Sequence, residues 1–150
     1  MPLIDWNLFW QTAMKIGGAF LLALPTGWIR ERQAHGVGIR TFPIVAMASC
    51  GYLLIMKTGG SSADNSRVLQ GLVTGIGFVG GGAILKEGMS VHGTATAASI
   101  WNTGAIGAAV AMGRYEVAVV LAILNLFTME ALVPVKKKLD RQAIDNAAKE

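Results

Sequence analysis

Five apolar stretches, at 8–29, 41–56, 68–85, 94–112 and 115–135, follow one another with short polar connections between them, and Lys and Arg gather in alternate connections. A helix that crosses a bilayer takes about 20 apolar residues. The pattern predicts an all-α fold: a polytopic transmembrane helix bundle of about five spans. Composition agrees, since 53% of the residues are hydrophobic and 15% are charged, whereas soluble domains carry about 25% charged residues. The stretch 8–29 is too long, and too poor in early positive charge, for a cleaved signal peptide, and it reads as a mature helix.

Placement of the cations predicts orientation. With the N-terminus outside, the inward connections are 30–40, 86–93 and the tail from 136. They hold Arg30, Arg32, Arg40, Lys86, Lys136, Lys137, Lys138, Arg141 and Lys149. The outward connections hold Lys57, Arg67 and Arg114. Positive-inside bias therefore predicts N-out/C-in. It divides the chain into a transmembrane domain, 1–135, and a basic cytoplasmic tail, 136–150, that can lie against anionic headgroups at about 1 kcal/mol per charge. The net charge of +4 and pI near 9.5 could mark a nucleic-acid binder. The cations instead sit where a membrane protein places them, so the expected partner is the lipid bilayer and no nucleic acid. Trp6 and Trp10 suit the outer headgroup level and Trp28 the inner one. Trp101 falls outside this scheme, near the middle of the fourth stretch.

The third stretch contains Gly75-Ile76-Gly77-Phe78-Val79-Gly80, which satisfies G-x-G-x-x-G. That fingerprint binds dinucleotides only between a strand and a helix, with an acidic residue about 20 positions on. Here Ala95 and Thr96 stand at that distance, and the dinucleotide reading is rejected. Gly71 and Gly75 are four apart, as are Gly77 and Gly81, and Gly107 with Ala111 repeats the spacing. Faces without side chains let helices approach closely in lipid. Three uses stay open: packing within one subunit, a self-association face giving a homo-oligomer, or a broken helix at Gly80-Gly81-Gly82 whose backbone lines an ion site.

Polar residues at membrane depth are few. A charge at the bilayer centre costs about 2.5 to 3.5 kcal/mol on insertion scales, so such groups face protein or water. Lys15 and Glu130 belong to opposite halves of the bilayer, and Glu130 is expected to meet Arg30 or Arg32. Asn102 and Thr103, beside Trp101, and Asn125 either hydrogen-bond between helices or line a substrate path. Arg30-Glu31-Arg32, followed by Gly36, Gly38, Arg40 and Thr41, reads as headgroup anchors or as a rigid polar cluster that a partner or an anion recognises. Thr41 opens the second helix as a cap or first-turn residue. His35 and His92 lack a second donor at ligand spacing, so no metal is expected. Cys50 is the lone cysteine, which excludes an intrachain disulfide and suits a small buried hydrophobe. With no nucleophile–base–orienter set and no carboxylate pair, neither an enzyme nor a cofactor is expected.

Three blocks resemble the MgtC/SapB family of bacterial inner-membrane proteins. They are Trp28-Ile29-Arg30-Glu31-Arg32 with Gly38-Ile39-Arg40-Thr41, the glycine-rich run 71–85, and Gly93-Thr94-Ala95-Thr96-Ala97-Ala98-Ser99-Ile100-Trp101. The resemblance runs from about residue 19 to residue 132. It implies a small multi-helix protein of the bacterial inner membrane, associated with survival of pathogens in host cells and with growth at low magnesium. Members were first suspected of magnesium transport, and the family has since been tied to regulation by protein contact, including restraint of the membrane-embedded ATP synthase. The positions that match are Arg30, Glu31, Arg40, Thr41, the glycine run, Thr96 and Trp101. Many members continue into a soluble ACT-type domain. This chain stops at Glu150, which leads to the expectation of a short, SapB-like member or a membrane domain alone.

Overall fold

The computed structural model describes residues 4–33, 38–56, 62–88, 90–135, 138–139 and 141–142, with the backbone alone at 62 and 63. Through them run α1 (Trp6–Gln33), α2 (Thr41–Met56), α3 (Ser62–Gly81), α4 (Thr94–Met112) and α5 (Tyr115–Ala131). A two-stranded antiparallel hairpin, β1 (Leu85–Glu87) and β2 (Ser90–His92), joins α3 to α4, with Lys86 opposite Val91. His35, Gly36 and most of the tail 136–150 lie outside the described residues.

Local chemistry sets the helix ends. The Asp5 carboxylate caps α1, accepting the Asn7 and Leu8 N–H groups at 2.9 and 3.3 Å. α4 closes in a left-handed Gly113, φ 78°. Gly113 N–H donates to the Val110 carbonyl and Arg114 N–H to that of Ala109, the paired bonds of a Schellman turn. The chain enters α5 at once, which makes α4 and α5 antiparallel neighbours. Lys15 Nζ donates to the Ala111 carbonyl at 3.3 Å, adding a cation to the last turn of α4, where the helix dipole favours one.

α4 is the hub, packed against each of the other four helices, while α1 also packs on α2 and α5. The core is built of small residues, Ala19, Ala23, Ala46, Ala109 and Ala118, around Phe42, Ile100, Ile106 and Val110. Large apolar side chains face outward instead, Leu21, Ile55, Phe78, Ile123 and Phe127 among them. This arrangement suits an apolar surround, where close helix packing rather than water exclusion holds the bundle. Among the described residues, one helix, Tyr115–Val135, is long and apolar enough to cross a membrane by length and composition, and α2 is apolar but shorter.

The third stretch departs from expectation. Its helix starts at Ser62, six residues before the apolar run, and stops at Gly81, four before the expected end. Gly82, Ala83 and Ile84 donate to the Phe78, Gly80 and Gly81 carbonyls, which closes the helix and turns the chain into the hairpin. The run Gly80-Gly81-Gly82 is therefore the end of a helix, not a break inside one.

Candidate functional site

The last turns of α1 and α5 and the first turn of α4 meet at one end of the bundle. There Arg30 Nη2 donates to Thr96 Oγ1 and Arg30 Nη1 to Gln33 Oε1, the latter at 3.3 Å. Gln33 Nε2 in turn donates to the Met129 carbonyl at 3.5 Å. Arg30 thus ties α1 to α4, and Gln33 ties α1 to α5. Arg30 Nε is sealed from solvent and finds no acceptor. The guanidinium remains a cation throughout the working range.

Neighbouring residues of the expected cluster take other roles. Glu31 Oε2 accepts the Ile39 N–H at 3.1 Å and fixes the return into α2. Gly38 lies so close that a Cβ there would overlap the Glu31 side chain and backbone. Gly27 permits the same approach, since its Cβ would stand 3.1 Å from the Gly38 carbonyl oxygen and 3.2 Å from Ile39 Cα. Arg32 lies over the Trp28 ring, 5.1 Å from its centroid, in cation–π contact. Arg40 is exposed, and its carbonyl accepts the Ile44 N–H, while Thr41 opens α2 half-buried. The expected pairing of Glu130 with Arg30 or Arg32 is not found. Glu130 points outward beside the buried Met129, whereas the Arg30 guanidinium turns inward to Thr96.

A polar seam continues from this end between α4 and α5. Ser99 Oγ donates to Asn125 Oδ1 at 2.9 Å, with both residues buried. Asn102 Nδ2 donates to the Leu121 carbonyl at 3.3 Å, and Thr103 Oγ1 to the Ser99 carbonyl of its own helix at 2.8 Å. Asn102 and Asn125 thus bind across a helix interface. Trp101, half-exposed, walls a cavity of about 330 Å³ together with Leu72, Ile76 and Leu121. A larger cavity, about 600 Å³, opens at the junction itself, lined by Arg30, Gln33, His92, Thr94, Thr96 and Thr128 among others. No group of three or more His, Cys, Asp or Glu stands together among the described residues.

The glycines divide. A Cβ built on Gly107 would overlap the Ala46 carbonyl oxygen, so α4 and α2 touch backbone to backbone. At Gly71, Gly75, Gly77 and Gly81 a Cβ would meet nothing within 4 Å. Those four positions do not pack within the subunit, because α3 turns its other side, Ile76 and Gly80, toward α4. Close-packing glycines that the sequence reading passed over are Gly27, Gly80 and Gly104. Gly80 comes against the Ala97 carbonyl and Gly104 against the Ile76 side chain. Gly104 did carry a signal, since Ala108 follows four residues later. Gly80 carried none, being one glycine in a run that looks alike on every face.

A sequence model of the MgtC family matches residues 16–138. Protein MgtC of Brucella suis is 32% identical over 95% of this chain and 60% of its own length. The putative magnesium transporter YhiD of Escherichia coli K12 is 33% identical over 80% of this chain and 61% of its own. Protein SrpB of Synechococcus elongatus is 34% identical over 83% and 74%. The chain spans about 60% of the length of the Brucella relatives. No solved structure matches it. The match over residues 16–138 takes in all three sequence blocks and the helix ends that meet at Arg30, and the chain belongs to the MgtC family.

Proposed function

We propose that this protein is a non-enzymatic modulator of the bacterial inner membrane that acts by contact with another membrane protein. In this reading α1 to α5 are five spans, N-out/C-in, and the role is linked to low-magnesium adaptation or virulence. The membrane sector of ATP synthase is the first partner to test. The observation that carries the reading is the bare outer surface of α3: Gly71 and Gly75 open onto a groove of about 490 Å³ beside α2, Gly77 and Gly81 lie further round the helix with open space over them, and Phe78 between the two pairs is 86% exposed. In lipid such a surface gains van der Waals contact by close approach of a second helix. That helix belongs to a partner or to another copy of the chain. Leu at Gly75 or at Gly81 meets open space in the isolated subunit, so the fold should survive while co-purification with the partner or with a tagged second copy is lost. Unchanged association by both variants would overturn the packing-face mechanism. Crosslinking in native membranes would name the partner.

A second reading, a magnesium or proton pathway through an oligomer, draws on the name of the Escherichia coli relative and on the polar seam of Asn102 and Asn125. Purified protein in liposomes should then pass the ion, and Asn102→Leu should reduce the flux. Liposomes that stay impermeable would remove it.

A further inference from the structure

The cavity at the helix junction has an electrostatic character that a cation pathway does not need. Its charged lining residue is Arg30, and no Asp or Glu lines it among the described residues. One wall is the first turn of α4, Gly93 to Thr96. Gly93 occupies the cap position with φ 85° and offers no side chain to the turn. The first backbone bond of that turn runs from Ala97 N–H to the Gly93 carbonyl. The N–H groups of Thr94, Ala95 and Thr96 precede it, and a helix leaves such leading donors without internal partners. Positive dipole and guanidinium therefore share one space, the combination that favours an anion.

A second observation lies one helical turn deeper. A further cavity of about 260 Å³ adjoins the first, the two sharing Ala95, Thr128 and Met129 as walls. It is lined by Asn102, Leu121, Leu124 and Asn125 among others. Asn125 is only 9% exposed, and its Nδ2 has no acceptor. Reversing the amide does not help, because one end would still bond Ser99 and the other would still lack a partner. A buried donor without an acceptor costs about 1 to 3 kcal/mol. A ligand with oxygen acceptors at both levels would satisfy it.

We infer that the paired cavities bind a phosphate-bearing anion, held by Arg30, Thr96 and the leading N–H groups of α4. The second, partly apolar cavity favours a phospholipid as the source, with its headgroup phosphate at Arg30 and its ester oxygens at the level of Asn125 and Thr128. The site stands independently of the α3 contact surface, whose variants leave it untouched.

The test uses the full chain in uncharged detergent, titrated with phosphatidylglycerol and, separately, with inorganic phosphate, binding being read by native mass spectrometry and by the shift in thermal midpoint. Arg30→Gln should weaken phosphatidylglycerol binding at least tenfold, while Arg32→Gln, which removes the same charge outside the cavity, should change it less than twofold. Thr128→Phe covers the shared wall and leaves the bonds of Arg30 intact. It should weaken binding at least fivefold even if the Arg30 variant fails to fold. Binding of inorganic phosphate with the same Arg30 dependence would support the site and assign it to a free anion. Binding of neither ligand, or binding indifferent to both Arg30→Gln and Thr128→Phe, would overturn it.

Discussion

α3 and α4 are nearly the same length, 20 and 19 residues, and both carry glycines at close-packing intervals, yet they do opposite things with them. α4 buries 11 residues and sets Gly104 and Gly107 against its neighbours. α3 buries Ile76 and Gly80 and leaves its remaining helical glycines facing open space. One pair of hydroxyls differs in the same way. Thr74 Oγ1 of α3 donates to the Gln70 carbonyl of its own helix, whereas Ser99 Oγ of α4 reaches across to α5. Spacing tells where a helix lacks side chains. It does not tell whether the helix that fills the gap belongs to the same chain, because that depends on the position of the element in the bundle. α4 is surrounded, and α3 lies at the edge.

The contrast is tested most severely by adding one small branched side chain to each helix. Gly107→Val drives atoms into the Ala46 carbonyl, which is backbone and cannot swing aside. Overpacking of a filled interior costs about 1 to 3 kcal/mol, and a backbone obstacle puts this variant at the upper end. Denaturant titration in detergent should show a loss of about 3 kcal/mol or failure to accumulate. Gly75→Val should stay within about 0.5 kcal/mol of the parent, as surface substitutions do. Equal losses at the two sites would mean that α3 is as enclosed as α4.

Much of this architecture is legible in the sequence, because long apolar runs have few conformational options. The bounds of α2 and α4 coincide with the apolar stretches that predicted them. The end of α3 was not legible. The apolar run continues through Ala83, Ile84 and Leu85, and only the left-handed Gly88, φ 59°, and Gly93, φ 85°, show how that stretch reverses and re-enters a helix. At the junction, Arg30 and Thr96 each stood out in the sequence. That they bond to one another is a property of α1 crossing α4, which no local pattern encodes. Gln33 and the Met129 carbonyl were missed for the same reason. Arg30 and Glu31, adjacent in sequence, read as one cluster, but successive helix positions face about 100° apart. They serve α4 and the return into α2 respectively.

A gentler substitution sharpens the comparison. Gly77→Ala adds a methyl group where nothing lies within 4 Å. Helical glycine is less stable than alanine by about 0.5 to 1 kcal/mol. The isolated subunit should gain roughly that amount, seen as a higher thermal midpoint in detergent. If the bare face is docked in the membrane, the same methyl should weaken crosslinking there. Stabilisation in detergent together with unchanged crosslinking would leave the face unoccupied.

The smallest expected effect concerns the hydroxyls. A double-mutant cycle with Ser99→Ala and Asn125→Leu isolates a bond between two buried side chains of α4 and α5. Interhelical polar contacts in membrane proteins average about 0.6 kcal/mol in such cycles, because the helices find other partners when apart. A coupling of that size is expected here, while Thr74→Val on α3, paired with Asn125→Leu, should show none, its hydroxyl being bonded within its own turn. The single Asn125→Leu variant adds information. Because the wild-type amide leaves Nδ2 without an acceptor, removing it sheds a buried unsatisfied donor along with the bond to Ser99. The two changes oppose each other, so Asn125→Leu should cost less than Ser99→Ala, which strands one more amide atom. The reverse order would mean that Asn125 finds its missing acceptor in the native membrane.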